Sequence, residues 1–93
     1  MDFVEKFLLN NEIYPTTNGY DYFIEAVRLA ESGKTKMMNI YKKIAEKHGT
    51  STINVTVAIR RLIMKIKGKE ITRYKNNSQV IMTLARYKTL SVK

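Results

Sequence analysis

Basic side chains are concentrated in the middle of this 93-residue chain, whose net charge is +9. Residues 34–67 hold nine lysines and arginines and one glutamate, a net charge of +8, whereas residues 1–33 carry −4 and residues 68–93 carry +5. A charge this polarised indicates a surface that meets a polyanion. Ammonium, guanidinium and hydroxyl groups bind phosphate oxygens, and such contacts position a protein on nucleic acid without reading its sequence. The candidates for phosphate contacts are Lys42, Lys43, Lys47, Thr50, Arg61 and Lys65.

A second group of side chains, between residues 51 and 60, has the chemistry that reads base edges. An asparagine amide matches an adenine edge, an arginine guanidinium matches a guanine edge or a phosphate, and apolar side chains contact the thymine methyl group. Asn54 and Arg60 offer the first two chemistries, and Ile53 or Val57 offers the third. The candidate base-reading residues are Ser51, Thr52, Asn54, Thr56, Val57 and Arg60.

The composition gives little support to catalysis. The chain has no cysteine and a single histidine, His48, so it offers no thiol nucleophile, no thiolate metal site and no second imidazole to share a metal ion. The acidic residues of positions 1–33 alternate with apolar ones, as on a solvated helix face, and do not form a tuned carboxylate pair. We therefore expect no enzymatic activity, no catalytic residue, no cofactor and no metal site.

Two helices are predicted to position the basic and base-reading groups. Apolar residues recur at helical spacing over about residues 37–48 and again over about 52–67, with only residues 49–51 between them. So short a connection forces the two helices to cross steeply, which is the geometry of a helix-turn-helix. That motif needs a small residue on the first helix, a turn residue that tolerates positive φ, and apolar anchors on the second helix. The residues at these positions are Ala45, Gly49, Val55 and Ala58.

The rest of the chain is also predicted to be helical, which makes the fold class all-α. We expect one compact domain of five or six helices over residues 1–93, with further helices at about 2–10, 19–32 and 78–90 and a short helical turn at 69–74. A recognition helix presents its N-terminal residues to the major groove. With its apolar stripe turned inward, helix 52–67 exposes Ile53, Asn54, Val57, Arg60, Arg61 and Met64.

Several segments resemble one family of DNA-binding domains over about residues 13–88. The family is the DNA-binding effector domain of the stage-zero sporulation response regulator, the master switch of endospore formation. The similar segments are residues 19–26 (GYDYFIEA), 41–51 (YKKIAEKHGTS), Val55, residues 58–60 (AIR) and residues 77–79 (NSQ).

The resemblance implies a compact all-helical domain with the helix-turn-helix in its third and fourth helices, binding short duplex sites upstream of regulated promoters. The implied partner is double-stranded promoter DNA, and RNA polymerase and a second copy of the chain on DNA are further candidates. The family's recognition helix carries charged base-reading residues, whereas this chain has Asn54, Thr56 and Val57 and keeps only the arginine, Arg60. No receiver domain accompanies the sequence, which leaves two interpretations open: an isolated effector domain, or a stand-alone regulator without phosphorylation control.

Neither a signal peptide nor a membrane span is expected. Residues 1–11 lack the basic start, apolar stretch and small-residue cleavage site of a signal peptide. No apolar run approaches the length of about 18 residues that a membrane-spanning helix needs. We expect a cytoplasmic protein with no membrane partner and no small-molecule substrate.

Three alternatives to sequence-specific DNA binding stay open. The basic residues also fit a solvated lysine face. The chain also fits a protein–protein interaction module that keeps the helix-turn-helix fold and modulates a transcription regulator without reading DNA. Exposed Ile53, Val57 and Met64 would then form the kind of apolar strip that marks partner surfaces. The third alternative is an RNA or structure-specific target.

Overall fold

Five α-helices make up the part of the chain that the structure, a computed structural model, describes: residues 2–33, 36–66 and 77–91. In chain order they are α1 (Phe3–Asn10), α2 (Tyr20–Glu31), α3 (Met37–His48), α4 (Thr52–Met64) and α5 (Asn77–Ser91). These residues form no strand. The predicted all-α class is confirmed, and so is the predicted pair of helices joined by a short turn, α3 and α4. The helical turn predicted at 69–74 lies outside the described residues.

The predicted end of helix 52–67 was wrong, because α4 ends at Met64. The N–H groups of Lys65 and Ile66 donate to carbonyl oxygens three residues back, not four, at 2.9 and 3.0 Å. This tightens the chain into a turn and closes the helix. Ile66 is still buried, so its apolar side chain reports contact with the core and not continuation of the helix. The other helices agree with the prediction to within one residue at each end.

The N-terminus of α1 is fixed by local hydrogen bonds and by an ion pair with α2. Glu5 N–H donates to Asp2 Oδ1 at 3.0 Å, and Asp2 N–H donates to Glu5 Oε1 at 3.4 Å, which is a capping box. Arg28 of α2 donates to Asp2 Oδ2 at 2.9 Å. Val4 and Leu8 are fully buried and attach α1 to the core. Two acidic residues of the N-terminal segment therefore have a structural role.

The core is built around α2, which contacts each of the other four helices. Its largest fully buried side chain is Phe23, and truncation of such a side chain to alanine costs about 3–5 kcal/mol. The inward faces of the other helices pack around it in the same cluster. Their buried side chains include Ile40 and Ile44 of α3, Ile59 and Leu62 of α4, and Ile81 and Leu84 of α5.

Helix α2 begins where the chain touches α4. Gly19, the residue before α2, has a φ of +90°, and a Cβ atom there would lie 2.6 Å from the Ala58 carbonyl oxygen. Only glycine meets both conditions, because it tolerates positive φ and has no side chain to collide with the neighbouring backbone. The start of α2 therefore packs directly against the backbone on the buried side of α4.

A buried asparagine joins α5 to the two helices of the motif. Asn77 Nδ2 donates to the Thr56 carbonyl of α4 at 3.1 Å, and the Asn77 side chain is also hydrogen-bonded to Tyr41 of α3. Burial raises the pKa of the Tyr41 hydroxyl, and the hydrogen bond with Asn77 opposes that rise only in part. A buried polar group that loses its partner costs about 1–3 kcal/mol. This contact therefore fixes α3, α4 and α5 relative to one another.

Candidate nucleic-acid interface

The turn after α3 has the backbone geometry that a helix-turn-helix requires. Gly49 has φ +63° and ψ +37°, the left-handed conformation. Thr50 N–H donates to the Ala45 carbonyl at 3.0 Å, and Gly49 N–H donates to the Glu46 carbonyl at 3.4 Å. These two bonds form a Schellman motif, which satisfies the last carbonyls of α3 and reverses the chain direction. The predicted role of Gly49 as the turn residue is confirmed.

The N-terminal end of α4 is capped by Ser51, whose hydroxyl oxygen accepts the Asn54 N–H at 3.1 Å. The Asn54 side chain donates to the Thr50 hydroxyl at 3.0 Å. Three of the predicted contact residues therefore lie together at this end of the helix. The predicted anchors Val55 and Ala58 are buried, and they hold the opposite side of α4 in the core.

The outward face of α4 is the one predicted from the sequence. Along the midline of this face, Ile53 is 72% exposed, Val57 is 39% exposed and Met64, at the C-terminal end, is 77% exposed. Arg60 is exposed between Val57 and Met64, and spacings of four, three and four residues place all of these side chains on one side of the helix. One flank of this face carries the exposed side chains Asn54, Arg61 and Lys65.

Two predicted base-reading residues are not presented on the outward face. Thr52 and Thr56 are both half-buried, and the Thr56 hydroxyl donates to the Thr52 carbonyl at 2.8 Å. Because its one proton is used inside α4, the Thr56 hydroxyl is left with acceptor capacity only. The structure therefore brings Asn54, Val57 and Arg60 to the outward face, whereas Thr52 and Thr56 lie along its edge.

Most of the predicted phosphate contacts lie on the surface of the motif. Lys42, Lys43 and Lys47 of α3 are exposed, as are Arg61 and Lys65 beside α4, whereas Thr50 is half-buried. In the part of the chain that the structure describes, Lys42, Lys43, Arg61 and Lys65 form no ion pair. Four positive charges on this pair of helices thus face solvent without a neutralising partner there.

No protein-family model, curated protein or solved structure matches this chain. The resemblance to the sporulation effector domain therefore stays a prediction.

A carboxylate of α2 engages Lys47 and its neighbour. Lys47 Nζ lies 2.5 Å from Glu25 Oε1, and His48 Nε2 lies 2.5 Å from Glu25 Oε2. The His48 ring meets the Tyr22 ring edge-on, with ring centroids 4.9 Å apart. Burial raises the pKa of Glu25, but the hydrogen bonds with Lys47 and His48 outweigh it and leave that pKa below its ordinary value. Glu25 thus joins α2 to the end of α3 beside the turn and pairs with Lys47.

The sequence gives no signal for this cluster, because Glu25 and His48 are 23 positions apart and no motif connects them. Within residues 2–33, 36–66 and 77–91, no three histidine or acidic side chains are placed to hold a metal ion. None of the helices described there is both long and apolar enough to cross a membrane.

Proposed function

We propose that the chain is a sequence-specific double-stranded DNA-binding transcriptional regulator, with α4 inserted in the major groove. The supporting observation is the outward face of α4, which presents Asn54, Val57 and Arg60 near solvent. A major groove about 12 Å wide admits such a helix, and the N-terminal residues of the helix reach the base edges.

The distribution of charge supports the same proposal. Exposed lysines lie on α3, and exposed Arg60, Arg61 and Lys65 lie on α4 and just after it. Phosphate contacts supply most of the affinity for duplex DNA. Two acidic residues of the N-terminal segment, Asp2 and Glu5, pair with Arg28 of α2 and not with the lysines of α3. Lys42, Lys43, Arg61 and Lys65 form no ion pair within the described residues.

The resemblance to the stage-zero sporulation effector domain leads to the same class of protein. On this proposal the chain is a cytoplasmic sporulation-type regulator that acts on promoter DNA. Its further partners are RNA polymerase and a second copy of the chain on DNA, and it has no catalytic activity.

A salt titration of binding to random-sequence duplex tests the proposal. We expect log K to fall linearly with log salt concentration with a slope of roughly −3 to −5, because each neutralised phosphate contributes about −0.9. Lys42→Ala should make the slope shallower by about 1. The matched control is Lys6→Ala, an exposed lysine of α1 in the acidic part of the chain, which should leave the slope unchanged. Absence of duplex binding at low salt contradicts the proposal.

A second candidate function, a protein–protein interaction module on the same fold, is favoured by one observation. Ile53 and Met64 are 72% and 77% exposed, and large apolar side chains at such exposure are common at partner surfaces. Such a module would bind a transcription regulator without reading DNA. It is the interpretation to adopt if random and promoter duplexes both fail to bind at low salt.

A further inference from the structure

The first two turns of α4 hold no charged residue. Residues 52–59 read TINVTVAI, and the first arginine, Arg60, comes after them. Guanine is read chiefly by arginine or lysine, and cytosine by aspartate or glutamate. The part of the helix that reaches deepest into a major groove therefore lacks the side chains that select G·C pairs.

Its outward face is apolar instead. Ile53 is 72% exposed and Val57 is 39% exposed, and four residues of helix separate them by about 6 Å along the axis. On the same surface lie Arg60, Arg61 and Lys65. Two branched apolar side chains lie beside several cations on this surface. Such a surface complements a ligand that has small apolar groups flanked by negative charge. The thymine methyl group, which projects into the major groove between two phosphate backbones, has these properties.

The Asn54 amide is held in place beside these two side chains. One N–H of its Nδ2 donates a hydrogen bond to the Thr50 hydroxyl at 3.0 Å. An amide has two N–H donors and a carbonyl acceptor, so a second N–H and the oxygen are left for another partner. Adenine offers the matching pair, N7 as acceptor and the N6 amino group as donor. The contact with Thr50 restricts the rotation of the amide before DNA is bound.

We infer that the first two turns of α4 select A·T base pairs, with Ile53 and Val57 packed against thymine methyl groups and Asn54 bonded to an adenine edge. This inference rests on the proposed function, and it makes Ile53 and Val57 specificity-determining residues. Arg60 then supplies the one strong preference for guanine.

Replacement of thymine by deoxyuridine tests the inference, because it removes the methyl group and keeps the base-pairing groups. A duplex obtained by random-sequence selection is substituted at one thymine at a time, and Kd is measured at fixed salt. At one or two positions we expect affinity to fall about fourfold, the effect of one buried methyl group. Deoxyuridine at the thymine that Ile53 contacts should not lower the affinity of Ile53→Ala. Deoxyuridine at the thymine that Val57 contacts should likewise not lower the affinity of Val57→Ala.

Met64→Ala is the matched control, since Met64 is 77% exposed on the same face but lies at the far end of the helix. The affinity of Met64→Ala should still fall about fourfold when deoxyuridine replaces the contacted thymine. The replacement is made in the DNA, so the measurement on the unaltered protein does not depend on how any variant folds.

Two results overturn the inference, and they differ from failure of the proposed function. If no deoxyuridine lowers affinity, or if the selected site has G·C pairs at every contacted position, the inference fails, while a steep salt slope leaves DNA binding standing. If no duplex binds at low salt, the proposed function fails and the inference fails with it.

Discussion

Gly19 meets the backbone of Ala58 so closely that a Cβ atom on Gly19 would lie 2.6 Å from the Ala58 carbonyl oxygen and 2.9 Å from its carbonyl carbon. The contact joins the start of α2 to the middle of α4. Because α2 packs against each of the other four described helices, this contact is one of those that set the position of α4 relative to the core. The contact lies on the side of α4 opposite its outward residues, so a shift there would move them.

Gly19→Ala should destabilise the protein strongly. Positive φ costs a residue with a side chain about 1–2 kcal/mol, and overpacking adds about 1–3 kcal/mol, so we expect the free energy of unfolding to fall by about 2–5 kcal/mol. Urea denaturation measures the loss. Gly49→Ala is the control, because φ there is +63° but no atom lies within 4 Å of the added Cβ, so only the strain of about 1–2 kcal/mol applies. Equal losses for the two variants would contradict the close contact.

Asn77→Ala should loosen the junction of α3, α4 and α5. It leaves the Tyr41 hydroxyl without its hydrogen bond from Asn77 in buried surroundings, and we expect a loss of about 1–3 kcal/mol in urea denaturation. Asn39→Ala, at an exposed position on α3, should change stability by less than about 0.5 kcal/mol. A double-mutant cycle with Tyr41→Phe should give a coupling energy of about 0.5–3 kcal/mol. Strict additivity would show that the two side chains do not act together.

Local signals in the sequence were sufficient for the helices and for the turn. The helical spacing of apolar residues and the position of Gly49 predicted α3, α4 and the left-handed turn between them, because each depends on residues a few positions apart. The end of α4 was missed for a related reason. Ile66 continues the apolar pattern, but it is buried by tertiary contact after the helix has ended.

The contacts that position the candidate site join residues far apart in the chain. The contacts of Gly19 with Ala58 and of Glu25 with Lys47 leave no periodic pattern, so the sequence does not predict either of them. The pattern predicts which face of α4 is outward, but it does not reveal a hydrogen bond that a side chain makes within its own helix. Thr56 was therefore predicted to read bases, although its hydroxyl bonds to the backbone of its own helix.

Arg60→Ala should impair binding to a selected site more than binding to random duplex. Loss of a bidentate contact to guanine costs about 1–3 kcal/mol, or about 5- to 150-fold in Kd, only where that guanine is present. Lys42→Ala and Lys43→Ala should weaken both duplexes by similar factors, because phosphates carry no sequence information. Titrations of the three variants on both duplexes make the comparison. Equal losses on both duplexes for Arg60→Ala would show that Arg60 contacts only a phosphate.

Glu25 should make the free energy of unfolding depend on pH. Burial raises its pKa, but the hydrogen bonds with Lys47 and His48 lower it further, below the ordinary value of 4.5. A lowered folded-state pKa gives a stabilisation that is fully present above the unfolded pKa and is lost as pH falls through the folded pKa. Between about pH 5 and 3, the urea midpoint of Glu25→Gln should therefore fall less steeply than that of the parent protein. Glu46→Gln, an exposed glutamate of α3, should follow the parent. Parallel curves for all three proteins would contradict a stabilising role for Glu25.

Glu25 should also restrain DNA binding through Lys47. With Lys47 Nζ 2.5 Å from the Glu25 carboxylate, a phosphate must displace that carboxylate to gain the contact. We expect Glu25→Gln to bind random duplex more tightly and to steepen the salt slope by about 1, because a further phosphate is neutralised. Removal of an acidic charge alone would also raise affinity, so Lys47→Ala separates the two causes. This substitution should leave the slope of the parent almost unchanged and should remove the added slope in the Glu25→Gln background. A slope change that survives Lys47→Ala in that background would assign the effect to net charge and not to release of Lys47.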